Sequence, residues 1–400
     1  MAKNYLASCD QNGILFTIGD NDTFPLWYAQ EIEGYRTDVK IVNTSLLMTD
    51  WYIDQMKYKT YKSDGLPISF EHKQYVADNR DAIVFNKKVD SRWNLKDFIA
   101  FAKREDTLSQ VEMQSGHRLH FFPTNKVRFT VDKNAVIANK IVNPTENDSI
   151  VPFIDLDIKG GALYKNRLIM LDILNNNNWK RPIYFSPGSF GDDDYLWMKN
   201  YLQMDGMVYK LVPIKTPVIE DNYPDMGRMD TEKTYNLAMK WEWGNGESRK
   251  IYQDPETRRN SISYRTNLSR LMSQLIAEGK NDKARKVIEL ALSKTPIDLY
   301  GYYLTLEPFA KGYYEIGEKS KAQDLIEKLM SKYKDELKYF STFKSSDQTF
   351  MATDIVTAIE RYRSLLKVMK EQGDVAFYNK SKIEFNSYNN RFPRFGRDKE

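Results

Sequence analysis

Two stretches of this chain repeat one another at an offset of 38 residues, and no other feature restricts its fold as tightly. Leu268, Leu271, Met272, Leu275 and Ile276 recur as Leu306, Phe309, Ala310, Tyr313 and Tyr314. Gly279 recurs as Gly317. Ala284, Val287, Ile288, Ala291 and Leu292 recur as Ala322, Leu325, Ile326, Leu329 and Met330. Each set keeps the three- and four-residue spacing of a single buried helix face. The small alanine lets two helices approach closely, and the glycine suits a left-handed backbone position at the turn between them. Each copy is therefore expected to be a helical hairpin. A lone hairpin cannot bury its face, so neighbours must stack. A third, degenerate copy is expected with Ile355, Ala358, Ile359, Tyr362, Leu366 and Met369 on one face, Gly373 at the turn and a capping helix over 375–388.

The first half reads differently. Residues 14–18 (ILFTI) are a buried-type strand closed by Gly19, and Asp22 and Thr23 with Pro25 open a helix through Glu33. A second strand spans 39–42, a polar turn 43–45, and a helix about 49–57. Strand, helix, strand at this spacing is a βαβ unit with parallel strands. Further expected elements are a strand at 82–86, a helix at 95–103, hairpin material over 119–142, a helix at 163–174, a strand at 181–185, a helix at 193–203 and a strand at 207–214. The fold class is thus a mixed α/β domain with a Rossmann-like βαβ start, followed by an all-α region of helical hairpins. The expected division is an α/β domain over 1–220, a connecting segment over 221–260, hairpins over 261–390 and a frayed tail over 391–400. A helix at 231–243 carries Leu237, Trp241 and Trp243, which are expected to pack against the first hairpin.

Composition narrows the function. At 41% hydrophobic and 28% charged residues the chain is a folded globular type. Lys plus Arg number 59 against 55 for Asp plus Glu, with no long run of one sign, which argues against a nucleic-acid partner. The longest apolar stretches fall far short of a membrane span. One cysteine, Cys9, and three histidines, His72, His117 and His120, leave no basis for a disulfide, a cysteine zinc site or a catalytic triad. His117 and His120 lie too close in sequence for helical chelation of a metal.

The stretch GDNDTFPLW at 19–27 is the most suggestive chemically. Asp20 and Asp22 stand just past the first strand, where open α/β sheets bind ligands and where helix amides can receive an anion or hydroxyl. Asp20, Asn21, Asp22, Thr23 and Asn43 are accordingly the candidate ligand-binding residues. The alternative is a structural one, with Asp22 or Thr23 capping the helix and Asp20 closing a turn. Asp-x-Asp is a weak signal, since Asp155 with Asp157 and the run Asp192, Asp193, Asp194 supply others. No glycine-rich phosphate loop is present, so no cofactor is expected; no metal site and no catalytic residue are nominated.

Three segments together carry a family resemblance: GDNDTFPLWYAQEIEGYRTDVKIVNTSLLMTDWYIDQM at 19–56, NWKRPIYFS at 178–186, and the hairpins after 262. They resemble a bacterial family of large membrane proteins similar to eukaryotic transmembrane protein O-mannosyltransferases, glycosyltransferases of the C superfamily. The hairpins resemble tetratricopeptide repeats, lengthened from a usual period of about 34 residues by the loop containing 297–303. The resemblance implies that a membrane-embedded glycosyltransferase precedes this region, that the region sits on the periplasmic side of the inner membrane, and that a lipid-linked sugar serves as donor. It implies a catalytic acid in a membrane-region loop outside these 400 residues. The implied partners are that membrane half and acceptor proteins held by the hairpins.

Overall fold

A computed structural model describes residues 1–113, 116–188, 191–217 and 226–395. The chain forms two compact units, Met1–Glu242 and Trp243–Glu400. The expected boundary near 220 lies outside the described residues, as does the end of the tail.

In the first unit, helix α1 (Ala2–Ser8) precedes strand β1 (Ile14–Thr17), helix α2 (Asp20–Glu31), strand β2 (Lys40–Asn43) and helix α3 (Asp50–Met56). β1 and β2 pair in parallel with Ile14 opposite Lys40 and Thr17 opposite Asn43, the expected βαβ unit. Every residue of both strands is buried, as a sheet covered on both faces demands. The other neighbour of β1 is the parallel strand Ile183–Phe185. Beyond it the six-stranded sheet continues antiparallel through Val208–Leu211 and Leu202–Asp205 and ends with Arg228–Met229. Two smaller sheets complete the unit: Gln110–Glu112, Arg118–Phe122, Ala82–Phe85 and Ala162–Tyr164 in one, Trp93–Asn94, Lys126–Thr130 and Phe153–Asp157 in the other. One continuous apolar core reaches all three, from Ile14 and Phe16 through Phe122 and Val127 to Leu171 and Met204.

Several expected elements are different. The 119–142 stretch is not a hairpin: Arg118–Phe122 pairs with Ala82–Phe85, while Lys126–Thr130 joins a separate sheet through Phe153–Asp157. Asp132 then caps a short helix, Lys133–Ala138, by accepting from the Ala135 amide. The helix expected from 163 begins at Lys165, because Leu163 is opposite Ile83 in a sheet, and it runs to Asn177, where Asn178 turns left-handed. No helix spans 193–203. Leu196 and Trp197 both adopt positive φ, which ends the 3₁₀ turn Asp193–Tyr195, and Leu202 onward is strand. The Gly206-Met207 pair, with Gly206 at φ 57°, turns this strand into Val208–Leu211. The helix expected at 231–243 is Thr231–Ala238.

The second unit is helical. Pro255–Ala277 packs with Asn281–Lys294, Glu307–Glu315 with Lys319–Phe340, and Ala352–Glu371 with Val375–Asn389. Gly279, Gly317 and Gly373 occupy the turns at φ 73°, 81° and 69°. The twenty apolar positions read from the repeat are buried, except Ile276, Leu292 and Tyr314, which are half-buried. Trp243 packs on Tyr264 at 4.6 Å between ring centroids. The inserted loop is held by a residue the periodicity could not flag: Arg265, fully buried, donates to Thr295 Oγ1 and O, to Gly301 O and to Thr305 Oγ1. These bonds replace the water the guanidinium loses, with no carboxylate partner among the described residues.

Candidate functional site

The parallel register brings the carboxyl ends of β1, β2 and Ile183–Phe185 to one rim. Thr44 N donates to Thr17 O and Ser186 N to Phe16 O, both at 2.8 Å. Four of the five nominated residues enter this rim from Gly19 and α2, and Asn43 enters from β2.

Asp22 lies in the first turn of α2, with Gly19 at the N-cap. One carboxylate oxygen accepts from Gly19 N at 2.9 Å. The other accepts from Ile18 N at 2.9 Å and from Ser186 Oγ at 2.5 Å. Asp22 therefore satisfies backbone donors at the strand-to-helix junction and ties that junction to the neighbouring strand. Thr23, fully buried, shares a 2.7 Å hydrogen bond with Thr17 Oγ1, donates to Gly19 O at 2.6 Å, and accepts from Asn43 Nδ2 at 3.1 Å. Asn43, also buried, accepts from Leu46 N at 3.0 Å, and its own amide donates to the Tyr52 hydroxyl at 2.9 Å. These three residues come together as a satisfied polar lock across three strands. Asp20 and Asn21 are exposed on the first turn of α2, and no side-chain bond holds either among the described residues.

The structure thus separates the five into three that clamp the rim and two that face solvent beside it. The division predicts different mutational outcomes. Asp22→Ala strands the Ile18 and Gly19 amides and the Ser186 hydroxyl and should cost about 2 kcal/mol. Asp20→Ala and Asn21→Ala should each cost less than about 1 kcal/mol. Denaturant melts of the three variants check this; equal losses for Asp20→Ala and Asp22→Ala would contradict the assignment.

The other acidic pairs are used as ion pairs. Asp155 binds Arg128 at 2.7 Å, Asp157 binds Arg92 at 2.8 Å, and Asp193 and Asp194 both meet Arg167. The arginine beside Asp155 holds its carboxyl below the usual range. His120 lies 3.5 Å from Arg80, and burial together with that charge lowers its pKa. Among the described residues no group of three or more His, Cys, Asp or Glu side chains could hold a metal ion, and no helix is long and apolar enough to cross a membrane.

Two cavities of the first unit that carry aromatic side chains include none of the five residues. One, of about 560 Å³, is lined by Gly160, Gly161, Tyr164, Arg167 and Trp197. The other, of about 390 Å³, lies between α2, the outer edge of β2 and α3, and carries Trp27, Trp51 and Tyr61. The sequence reading missed it. Its signal was present as the aromatic density of residues 24–61, where Phe24, Tyr28, Trp51, Tyr58 and Tyr61 are each at least half exposed.

Residues 1–233 match the family model described as TMEM260-associated domain 2. No curated protein and no solved structure matches the chain.

Proposed function

Because this chain belongs to the family of TMEM260-associated domain 2, we propose that it is the extracytoplasmic accessory region of a membrane glycosyltransferase of the O-mannosyltransferase type. It recruits acceptor proteins or stabilises the membrane-embedded catalytic half, which lies outside these 400 residues. The single observation that carries the reading is the family match over 1–233, which spans the whole α/β sheet system. The helical pairs support it: stacked hairpins with glycine turns and a buried repeating face are tetratricopeptide-like, and such arrays offer extended surfaces to protein partners. The reading places the chain on the periplasmic side of the inner membrane.

Co-expression of residues 1–400 with the membrane-spanning remainder of the same protein tests it. The chain should co-purify with that remainder or with acceptor proteins, and sugar transfer should fall when it is withheld. Transfer at full rate without it, with no association, would contradict the role. A second reading is favoured by the exposure of Asp20 and Asn21 at the strand rim, where α/β sheets bind ligands. It gives the α/β unit a sugar or nucleotide ligand of its own and predicts saturable, metal-dependent heat on titration with sugar nucleotides. A flat titration with and without manganese removes it.

A further inference from the structure

β2 is the free edge of the six-stranded sheet. Lys40 N donates to Gly13 O and Thr44 N to Thr17 O, so even-numbered residues of the strand address β1 and odd-numbered ones face outward. Two of the outward residues are already engaged. Val39 N donates to Arg36 O and Val39 O accepts from Gln30 Nε2, while Asn43 N donates to Tyr52 Oη. Between them, the Ile41 amide and carbonyl meet no partner among the described residues, and Ile41 is 4% exposed at the floor of the 390 Å³ recess. An added peptide strand needs a run of outward groups. One free residue between two capped ones offers instead a single donor and a single acceptor.

The walls are aromatic and are held open. Trp51 is 55% and Tyr61 56% exposed. Tyr61 sits at φ 52°, a left-handed position, and its hydroxyl donates to Glu31 across the recess. Lys40 fixes the loop that presents it, donating to Tyr58 O and Thr60 Oγ1 at 2.9 Å each. Burying these rings against the protein's own core would be favourable, yet Trp51 stands exposed on α3 and the loop and its bonds hold Tyr61 outward. The recess also carries the Glu31 carboxylate and the exposed Gln55 amide.

We propose that this recess binds an uncharged pyranose ring of a glycan, stacked on Trp51 and Tyr61 with its hydroxyls reaching Ile41, Glu31 and Gln55. A pyranose presents a C–H face to an aromatic ring and hydroxyls that both donate and accept around its rim, which matches aromatic walls over a mixed polar floor. The volume takes about one or two such rings. Phosphate is disfavoured, because the one cation lining the recess among the described residues, Lys40, is already turned to two protein oxygens. The site is distinct from the strand rim and does not depend on the accessory role.

Ligand-observed saturation-transfer NMR on residues 1–400, with methyl glycosides of glucose, galactose and mannose and with maltose and cellobiose, tests the proposal. At least one should show saturable transfer to its ring protons. Trp51→Ala and Tyr61→Ala should each weaken it by roughly tenfold. Both side chains are more than half exposed, so melting temperatures should stay within a degree or two of wild type. Tyr252→Ala, 82% exposed in the second unit, should bind as wild type. No saturable transfer from any of these sugars would overturn the proposal. So would binding that survives both aromatic substitutions, or Trp51-dependent binding to phosphatidylcholine vesicles in place of sugar, which would make the face a membrane contact.

Discussion

Leu271→Asp should lower stability by roughly 3–5 kcal/mol and remove most of the cooperative helical melting of the second unit. Leu271 is fully buried in Pro255–Ala277, on the face that meets Asn281–Lys294. An aspartate there would replace a fully buried leucine on the apolar hairpin face, so the ion must remain unpaired or take up a proton, and either outcome is costly. The loss is of the order of the whole stability of a small domain, typically about 5–15 kcal/mol. Gln274→Asp, three residues on and exposed, should shift stability by less than about 0.5 kcal/mol. Circular dichroism melts of the two variants separate core from surface directly. Equal midpoints would mean that the repeating face is not the hairpin core.

The second large effect concerns four charges that alternate in sign on the first unit. Lys210 Nζ donates to Asp10 at 2.7 Å, Lys233 Nζ donates to Asp10 at 2.7 Å and to Asp205 at 2.6 Å, and Gln203 completes Asp205 at 2.9 Å. Asp205 has no exposed surface. Lys233→Met removes the one cation paired with it among the described residues and should cost roughly 3–5 kcal/mol by leaving a buried carboxylate uncompensated. Adding Asp205→Asn to that variant should restore much of the loss, because a neutral amide keeps the glutamine bond without the stranded charge. If the double variant is no more stable than Lys233→Met alone, the cluster does not act through this pairing.

The same cluster sets a pH dependence. Burial alone would raise the Asp10 pKa, but the ammonium groups of Lys210 and Lys233 outweigh it and hold the carboxyl well below its usual value of 3.8. A depressed carboxyl pKa stabilises the fold above the unfolded value, and that contribution is lost as pH falls from about 4 towards the folded one. For Lys233, burial lowers the pKa, and Asp205 and Asp10 more than reverse it, so it lies above the usual 10.5. Its contribution is present below pH 10.5 and is lost as pH rises beyond it.

What was legible in the sequence follows from the range of the interactions involved. The hairpins could be read because helix faces are written locally and this face is written twice, with glycine at each turn. The βαβ start was legible because both buried strands carry short apolar runs, 14–16 and 41–42, at βαβ spacing. The three-sheet arrangement was not, because Arg118–Phe122 and Lys126–Thr130 look like one hairpin until their distant partners are known. Buried polar residues were the other blind spot. Nothing in the local pattern marks Arg265, Lys210 and Asp205 as buried, and only the surrounding carbonyls or counter-ions explain their burial. At the candidate site, the residue types at the end of β1 suited a ligand and a helix junction equally. Asp22, Thr23 and Asn43 proved to be bonded to the fold, while Asp20 and Asn21 were left exposed.

Under the proposed role, this chain serves a glycosyltransferase without performing the transfer itself. The most direct measurement incubates purified residues 1–400 with lipid-linked mannose and with sugar nucleotides, in the presence of acceptor proteins, and follows glycosylated protein and released donor by mass spectrometry. The account predicts no turnover from the isolated chain, and transfer only when the membrane-embedded half is supplied. Mannose transfer or sugar-nucleotide hydrolysis by the isolated chain, abolished by Asp20→Ala, would contradict it.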